Sequence, residues 1–118
     1  MDSEINLGLK TSSQFIKQLN AFRHLVSSDI KPIQMTIFLE VATSSSSQVT
    51  PNYIQSKYGI TQSSASRNCR ALTCRASPHR DGYNLCQWAF VESDHRYKFL
   101  ELTEHGKNVA NELKMLFN

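Results

Sequence analysis

No apolar run in this sequence approaches the ~20 residues needed to cross a bilayer. No secretory leader or acylation signal is visible at its start either, so the expectation is a chain that works in the cytoplasm and does not engage membranes. Cysteine is scarce: Cys69, Cys74 and Cys86 are an odd number with no Cys-x-x-Cys pair. That pattern argues against a secreted disulfide framework and against a zinc set completed by His79. The four histidines (His24, His79, His95, His105) fall in different segments and suggest no metal or catalytic cluster. Serine is plentiful but never sits in the glycine pattern of a nucleophile elbow. The parts of an active site are therefore missing, and the expectation is a non-enzyme without cofactor.

What is present is a chain of 118 residues, 40% apolar and 19% charged, the size and composition of one folded domain. The net charge of +3 is small but unevenly placed. From Lys57 to Lys98 seven basic residues (Lys57, Arg67, Arg70, Arg75, Arg80, Arg96, Lys98) face three acids (Asp81, Glu92, Asp94), a net +4, while the rest of the chain is at −1. A localised positive field suits a polyanion, although a solvated basic face has the same composition.

Periodicity organises the chain into a mainly α fold with a small β-sheet. Residues 1–11 lack a pattern and read as a mobile or extended arm, leaving 12–118 as the single domain. Phe15, Ile16, Leu19, Phe22, Leu25 and Val26 recur at helical steps and predict a helix from about Ser12 to Ser28. Pro32 opens a second helix that ends at the Ser44–Ser47 run. Gln48–Thr50 suggest a minimal strand, and Thr50-Pro51 begin a third helix stopped by Gly59. Thr61 caps a fourth, expected to run from Gln62 to about Arg75. Its Ala65, Cys69 and Leu72 lie on one side, with Ser63, Ser64, Ser66, Arg67 and Arg70 on the other. A loop with a turn at Asp81-Gly82 is predicted next. A hairpin over 85–102 follows, with Glu92–Arg96 as its polar loop, Trp88 and Phe90 on one face, and Phe99 and Leu102 as buried positions. Thr103 caps the last helix, 103–117.

Two short helices joined by a tight glycine turn, over about 51–75, are the pattern of a helix-turn-helix, and a basic hairpin just behind it forms a wing. Here the chain resembles the MarR family of winged-helix regulators. The resemblance rests on Val49-Thr50-Pro51, on Tyr58-Gly59-Ile60-Thr61-Gln62-Ser63-Ser64-Ala65-Ser66-Arg67, and on Asp94-His95-Arg96 followed by Leu100-Glu101-Leu102-Thr103-Glu104-His105-Gly106. It covers about Ile30 to the C-terminus. It implies a homodimeric transcriptional regulator of double-stranded DNA, with the terminal helices as the dimer interface and the fourth helix in the major groove. The departure is Cys74-Arg75-Ala76-Ser77-Pro78 and the insertion through Asn84, where the family usually has leucine-rich residues and a glycine.

On this reading Thr61, Gln62, Ser63, Ser64, Ser66, Arg67 and Arg70 face DNA from the fourth helix, while His95, Arg96 and Lys98 do so from the wing. Hydroxyls suit phosphates or base edges, Gln62 suits adenine, and Arg67 or Arg70 suits guanine. For Arg96, pairing with Asp94 or Glu92 to order the wing is an equal alternative. Cys74, flanked by Arg70 and Arg75, is either an inert thiol or a redox sensor, and a small-molecule effector is left open. Two other functions fit the same shape. One is a protein-interaction module, phage- or plasmid-encoded, and the other a replication or partition factor.

Overall fold

The computed structural model describes residues 8–117 and contains five helices and two antiparallel hairpins. Most of the expected arm, residues 1–7, lies outside that range. Its last residues do not extend: α1 spans Leu9–Leu25, because Gly8 at its N-cap accepts the first helical bond from the Ser12 amide at 3.0 Å. The helix also stops earlier than its apolar stripe suggests. Ser27 takes over the backbone there, accepting from the Asp29 amide through its hydroxyl (3.1 Å) and from the Ile30 amide through its carbonyl (3.3 Å).

The second helix, α2, spans Pro32–Thr43, and α3 spans Pro51–Tyr58 with the Thr50 hydroxyl accepting from the Tyr53 amide at 3.0 Å. Gly59 closes α3 in the left-handed conformation, φ 65°, where a side chain would be strained. The strand expected at Gln48–Thr50 does not form. Its one strand-like bond is from the Leu100 amide to the Val49 carbonyl at 2.9 Å, since the Thr50 carbonyl already accepts from Ile54 in α3 and Pro51 has no N–H to extend a ladder.

The helix α4 runs Gln62–Ala71 and ends four residues short of the expected Arg75. Thr73 ends it, with both its amide (3.0 Å) and its hydroxyl (2.7 Å) donating to the Arg70 carbonyl. The following segment is not the loop predicted for it but a second small hairpin. Its strands are β1 (Arg75–Ser77) and β2 (Arg80–Asp81), and it turns at Pro78-His79 rather than at Asp81-Gly82.

The wing proper is β3 (Cys86–Val91) paired with β4 (Asp94–Leu102), in register from Cys86 opposite Leu102 to Phe90 opposite Lys98. Beyond Phe90 the ladder jumps to Val91 opposite Asp94, so His95, Arg96 and Tyr97 bulge from it and only Glu92-Ser93 form the turn. Phe99 is buried as expected, but its companion is Leu100 rather than the half-buried Leu102. Finally α5 spans Glu104–Phe117, capped by the Thr103 hydroxyl, which accepts from the Gly106 amide at 2.9 Å.

The core is one cluster. Ile37 and Phe38 of α2, Ile54 of α3, Ala65 and Cys69 of α4, Leu72, Leu85, Cys86 and Leu113 of α5 are sealed from solvent. Phe22 of α1 meets Phe38 edge-on, with centroids 6.1 Å apart, and lies 6.4 Å from Phe117, so the terminal helices pack on each other and on α2. No described helix is long and apolar enough to cross a membrane.

Candidate nucleic-acid interface

The helix-turn-helix is α3, the Gly59–Thr61 turn and α4, and packing divides α4 sharply. Ala65, Asn68 and Cys69 are buried beneath it, whereas Gln62, Ser63, Arg67 and Arg70 are exposed along its opposite side and Ser66 is half-buried. Arg67 and Arg70 carry no ion-pair partner among the described residues and line one cleft together. Two of the residues expected on this face serve the helix itself. The Thr61 hydroxyl is the N-cap, accepting from the Ser64 amide at 3.1 Å, with the Ser63 hydroxyl 3.3 Å away. The half-buried Ser64 accepts from the Asn68 side-chain amide, at 2.9 Å through its carbonyl and 3.3 Å through its hydroxyl.

What holds α4 at its angle is a buried polar pair that sequence reading missed. Gln34 of α2 donates through Nε2 to Asn68 Oδ1 at 3.1 Å, while Gln34 Oε1 accepts from the Lys31 amide at 2.9 Å. Both side chains are almost fully enclosed, so breaking either bond would leave a buried polar group unsatisfied. A polar residue within an apolar helical stripe is the only signal sequence could have offered. The partner, 34 residues away, was invisible.

A second network fixes α3 against α2 and changes the charge pattern. Glu40, buried on α2, bonds the Tyr58 hydroxyl, pairs with Lys57 at 2.6 Å and accepts from Tyr53 at 3.3 Å. Lys57, then Tyr58, hold the Glu40 carboxyl below its ordinary range, and Glu40 in turn raises both Lys57 and Tyr58 above theirs. Lys57, counted in the positive segment, is thus neutralised by an acid from outside it. The hydroxyls of Tyr53 and Tyr58 are working hydrogen-bond donors, and Tyr58 is partly exposed rather than core.

On the wing, His95, Arg96 and Lys98 are all exposed. His95 sits edge-on to Phe90 with centroids 6.4 Å apart, and Lys98 Nζ stands 4.5 Å from the centre of the Trp88 ring. Phe90 itself is 53% exposed, while Trp88 packs partly on the core. Asp94 orders the bulge by accepting from the Arg96 amide at 3.0 Å and from Arg96 Nε at 3.2 Å. The arginine is almost fully exposed in this pairing, which leaves the rest of its guanidinium directed at solvent. Tyr97 ties the wing to the serine loop, its hydroxyl donating to the Ser47 carbonyl at 3.3 Å.

The cysteines separate by location. Cys69 and Cys86 lie in the core, and burial pushes both thiols up to about 12, with Cys69 adding to the rise at Cys86. Cys74 is exposed at the base of β1.

Neither a family model nor a curated protein matches the chain. Solved structures do. A MepR mutant from a multidrug-resistant S. aureus clinical isolate superposes with a TM-score of 0.66 at 18% identity, over 92% of this chain and 70% of that one. The transcriptional regulator Tm0710 from Thermotoga maritima gives 0.65 at 16% identity, with the same coverage. MarR from E. coli in its apo form gives 0.58 at 16% identity, over 98% of this chain and 79% of that one. The fold is the MarR-like winged helix.

Proposed function

We propose that this protein is a non-enzymatic, sequence-specific transcriptional regulator that binds double-stranded DNA in the cytoplasm as a homodimer. In this reading α4 lies in the major groove and the β3–β4 wing touches the flanking groove or backbone. One observation carries it: α4 is fixed from beneath by Ala65, Asn68 and Cys69 while Gln62, Ser63, Arg67 and Arg70 project from its other side, the two arginines without an ion-pair partner among the described residues. A rigid helix with such a face matches the groove dimensions and base-edge chemistry of B-form DNA. Arg96 fits both roles open to it, since its pairing with Asp94 orders the wing that would present it.

The dimer is supported by apolar side chains that the core does not use. Phe15 (58% exposed) and Ile16 (56%) on α1 and Met115 (77%) on α5 face outward from two helices that pack together. Covering them with a second copy would also match two half-sites on a palindromic duplex. Sedimentation should find a dimer that Ile16→Glu disrupts; a monomeric parent chain would refute this part.

Selection of bound duplexes from a random pool tests the main reading. A recovered motif with dyad symmetry is expected. Arg67→Ala and Arg70→Ala should each weaken binding to it by about 1–3 kcal/mol, roughly fivefold to 150-fold, with the fold unchanged by circular dichroism. Undiminished affinity in both variants would remove α4 from the interface.

A further inference from the structure

The β1–β2 hairpin is small, exposed and basic, yet it is held as firmly as a core element. Gly82 N–H donates to the Cys74 carbonyl (3.1 Å), Tyr83 N–H to Ala71 (2.9 Å), Asn84 N–H to Thr73 (3.1 Å) and Leu85 N–H to Leu72 (2.8 Å), lacing the segment that leaves the hairpin to the last residue of α4 and the residues after it. The approach is so close that a Cβ on Gly82 would stand 1.9 Å from the Thr73 carbonyl oxygen, which only glycine permits. The Thr73 hydroxyl adds a bond to the Arg75 carbonyl at 3.1 Å. The base of the hairpin is therefore fixed to the end of the helix it follows.

Between this hairpin, α4 and the start of α2 lies an open cleft of about 530 Å³, lined among others by Lys31, Arg67, Arg70 and Arg80. None of these four cations has an ion-pair partner among the described residues. The acids on the lining are Asp29 and Asp81, and Asp81 is already turned to Arg75 at 3.7 Å. The floor is the Gln34–Asn68 pair, whose hydrogen bonds are internal and which sets the walls apart at a fixed distance. The cleft thus carries an excess of cations, four against Asp29 and the Asp81 turned to Arg75, and two of them, Arg67 and Arg70, also belong to the exposed face of α4.

From this we infer that the β1–β2 hairpin is a second, rigid wing, in which Arg80, with Lys31 across the cleft, holds phosphates of the same duplex that α4 reads. The inference rests on the DNA-binding reading above and extends it to a segment outside both the helix-turn-helix and the β3–β4 wing. Charge complementarity selects the occupant, because a backbone running past Arg67 and Arg70 would continue into a cleft with an excess of positive charge. Anchoring of the hairpin base suits the role, since a backbone that is already fixed loses little freedom on binding.

The test is a salt series, from about 0.05 to 0.3 M, on the full chain with the selected duplex and a scrambled duplex of equal length. Removing one cation from a phosphate should lower the log–log salt slope by about 0.9 and the affinity by about fivefold at 0.15 M. In a homodimer each substitution removes two cations, so Arg80→Ala should lower the slope by about 1.8 and the affinity about thirtyfold, and Lys31→Ala/Arg80→Ala should lower the slope by about 3.6 and the affinity about a thousandfold, equally on both duplexes because phosphates carry no sequence. Arg80→Lys should restore the slope. A wild-type slope in Arg80→Ala, on a duplex whose binding Arg67→Ala weakens, overturns the second wing and leaves the α4 reading standing. Weakening confined to the selected duplex would also overturn it, by showing that Arg80 reads a base. If the parent chain binds no duplex, or neither Arg67→Ala nor Arg80→Ala matters, both readings fall.

Discussion

The two hairpins of this protein present arginines to solvent but are anchored in opposite ways. The β3–β4 wing is anchored by apolar burial at its base, through Cys86, Phe99 and Leu100, and frees itself outward. Past Phe90 its ladder breaks, and the bulge is held by the Asp94 carboxylate on Arg96 and by the Tyr97 hydroxyl on the Ser47 carbonyl. The β1–β2 hairpin buries almost nothing, and backbone hydrogen bonds from residues 82–85 to residues 71–74 clamp its base. Backbone bonds fix position closely, whereas side-chain bonds from Asp94 and Tyr97 hold the wing's outer part more loosely. The pair therefore combines one rigid basic element beside the recognition helix with one adaptable element farther out.

The strongest way to break this contrast is Leu100→Ala. Its side chain is only 3% exposed and anchors β4, so its removal should cost about 2–5 kcal/mol in urea unfolding and free the whole wing. Gly82→Ala should cost less, about 1–3 kcal/mol, because the hairpin must pull away from Thr73 while the core is untouched. Hydrogen exchange should quicken at the amides of Gly82, Tyr83 and Asn84 but not in β3–β4; protection unchanged at those three would disprove the clamp.

Glu40→Gln touches neither hairpin and serves as the reference, with an expected loss of about 1–2 kcal/mol at neutral pH. The Glu40 carboxyl is depressed in the folded state. Its stabilisation is therefore present above the unfolded carboxylate range, near ~4.3, and disappears as pH falls through the lower folded value. Denaturation at pH 7 and at pH 3 should show the parent's advantage shrinking on acidification. A constant gap would mean that ionisation of Glu40 is irrelevant.

Asp94→Ala should change stability by less than about 1 kcal/mol, since the Arg96 pair is exposed, while increasing the mobility of the wing tip in NMR relaxation. The smallest effect separates the hairpins by chemistry. Brief alkylation of the native protein at neutral pH should label Cys74, at the base of β1. Cys69 and Cys86, buried and protonated with values near 12, should resist. Equal labelling of all three thiols would contradict the closed core beneath β3.

Legibility in the sequence followed the range of the interactions. The span Thr50 to Gln62 was readable almost residue by residue, because a threonine cap, a proline at the first turn and a left-handed glycine act within four residues of themselves. The end of α4 was not. Thr73 terminates it by bonding Arg70 and Arg75 at once, an arrangement that is stable only when the chain returns through Gly82 to Leu85. The strand expected at Val49 shrank to one bond for a related reason: its partner, Leu100, offers a single amide before Thr50 turns away. Among the candidate site residues, Gln62, Ser63, Arg67 and Arg70 took the exposed positions that helical spacing assigned them. Thr61 and Ser64 are committed to α4 itself.

Apolar periodicity and local capping by themselves determined the order of helices, the turn into α4 and the side of α4 that faces outward, because those depend on neighbours along the chain. Only the tertiary structure decided that Lys57 is neutralised by Glu40, that Asn68 leans on Gln34, and that Arg80 stands beside Arg67 and Arg70 on one cleft. Charge and hydrogen bonding between distant segments depend on three-dimensional distance, which a linear pattern does not contain.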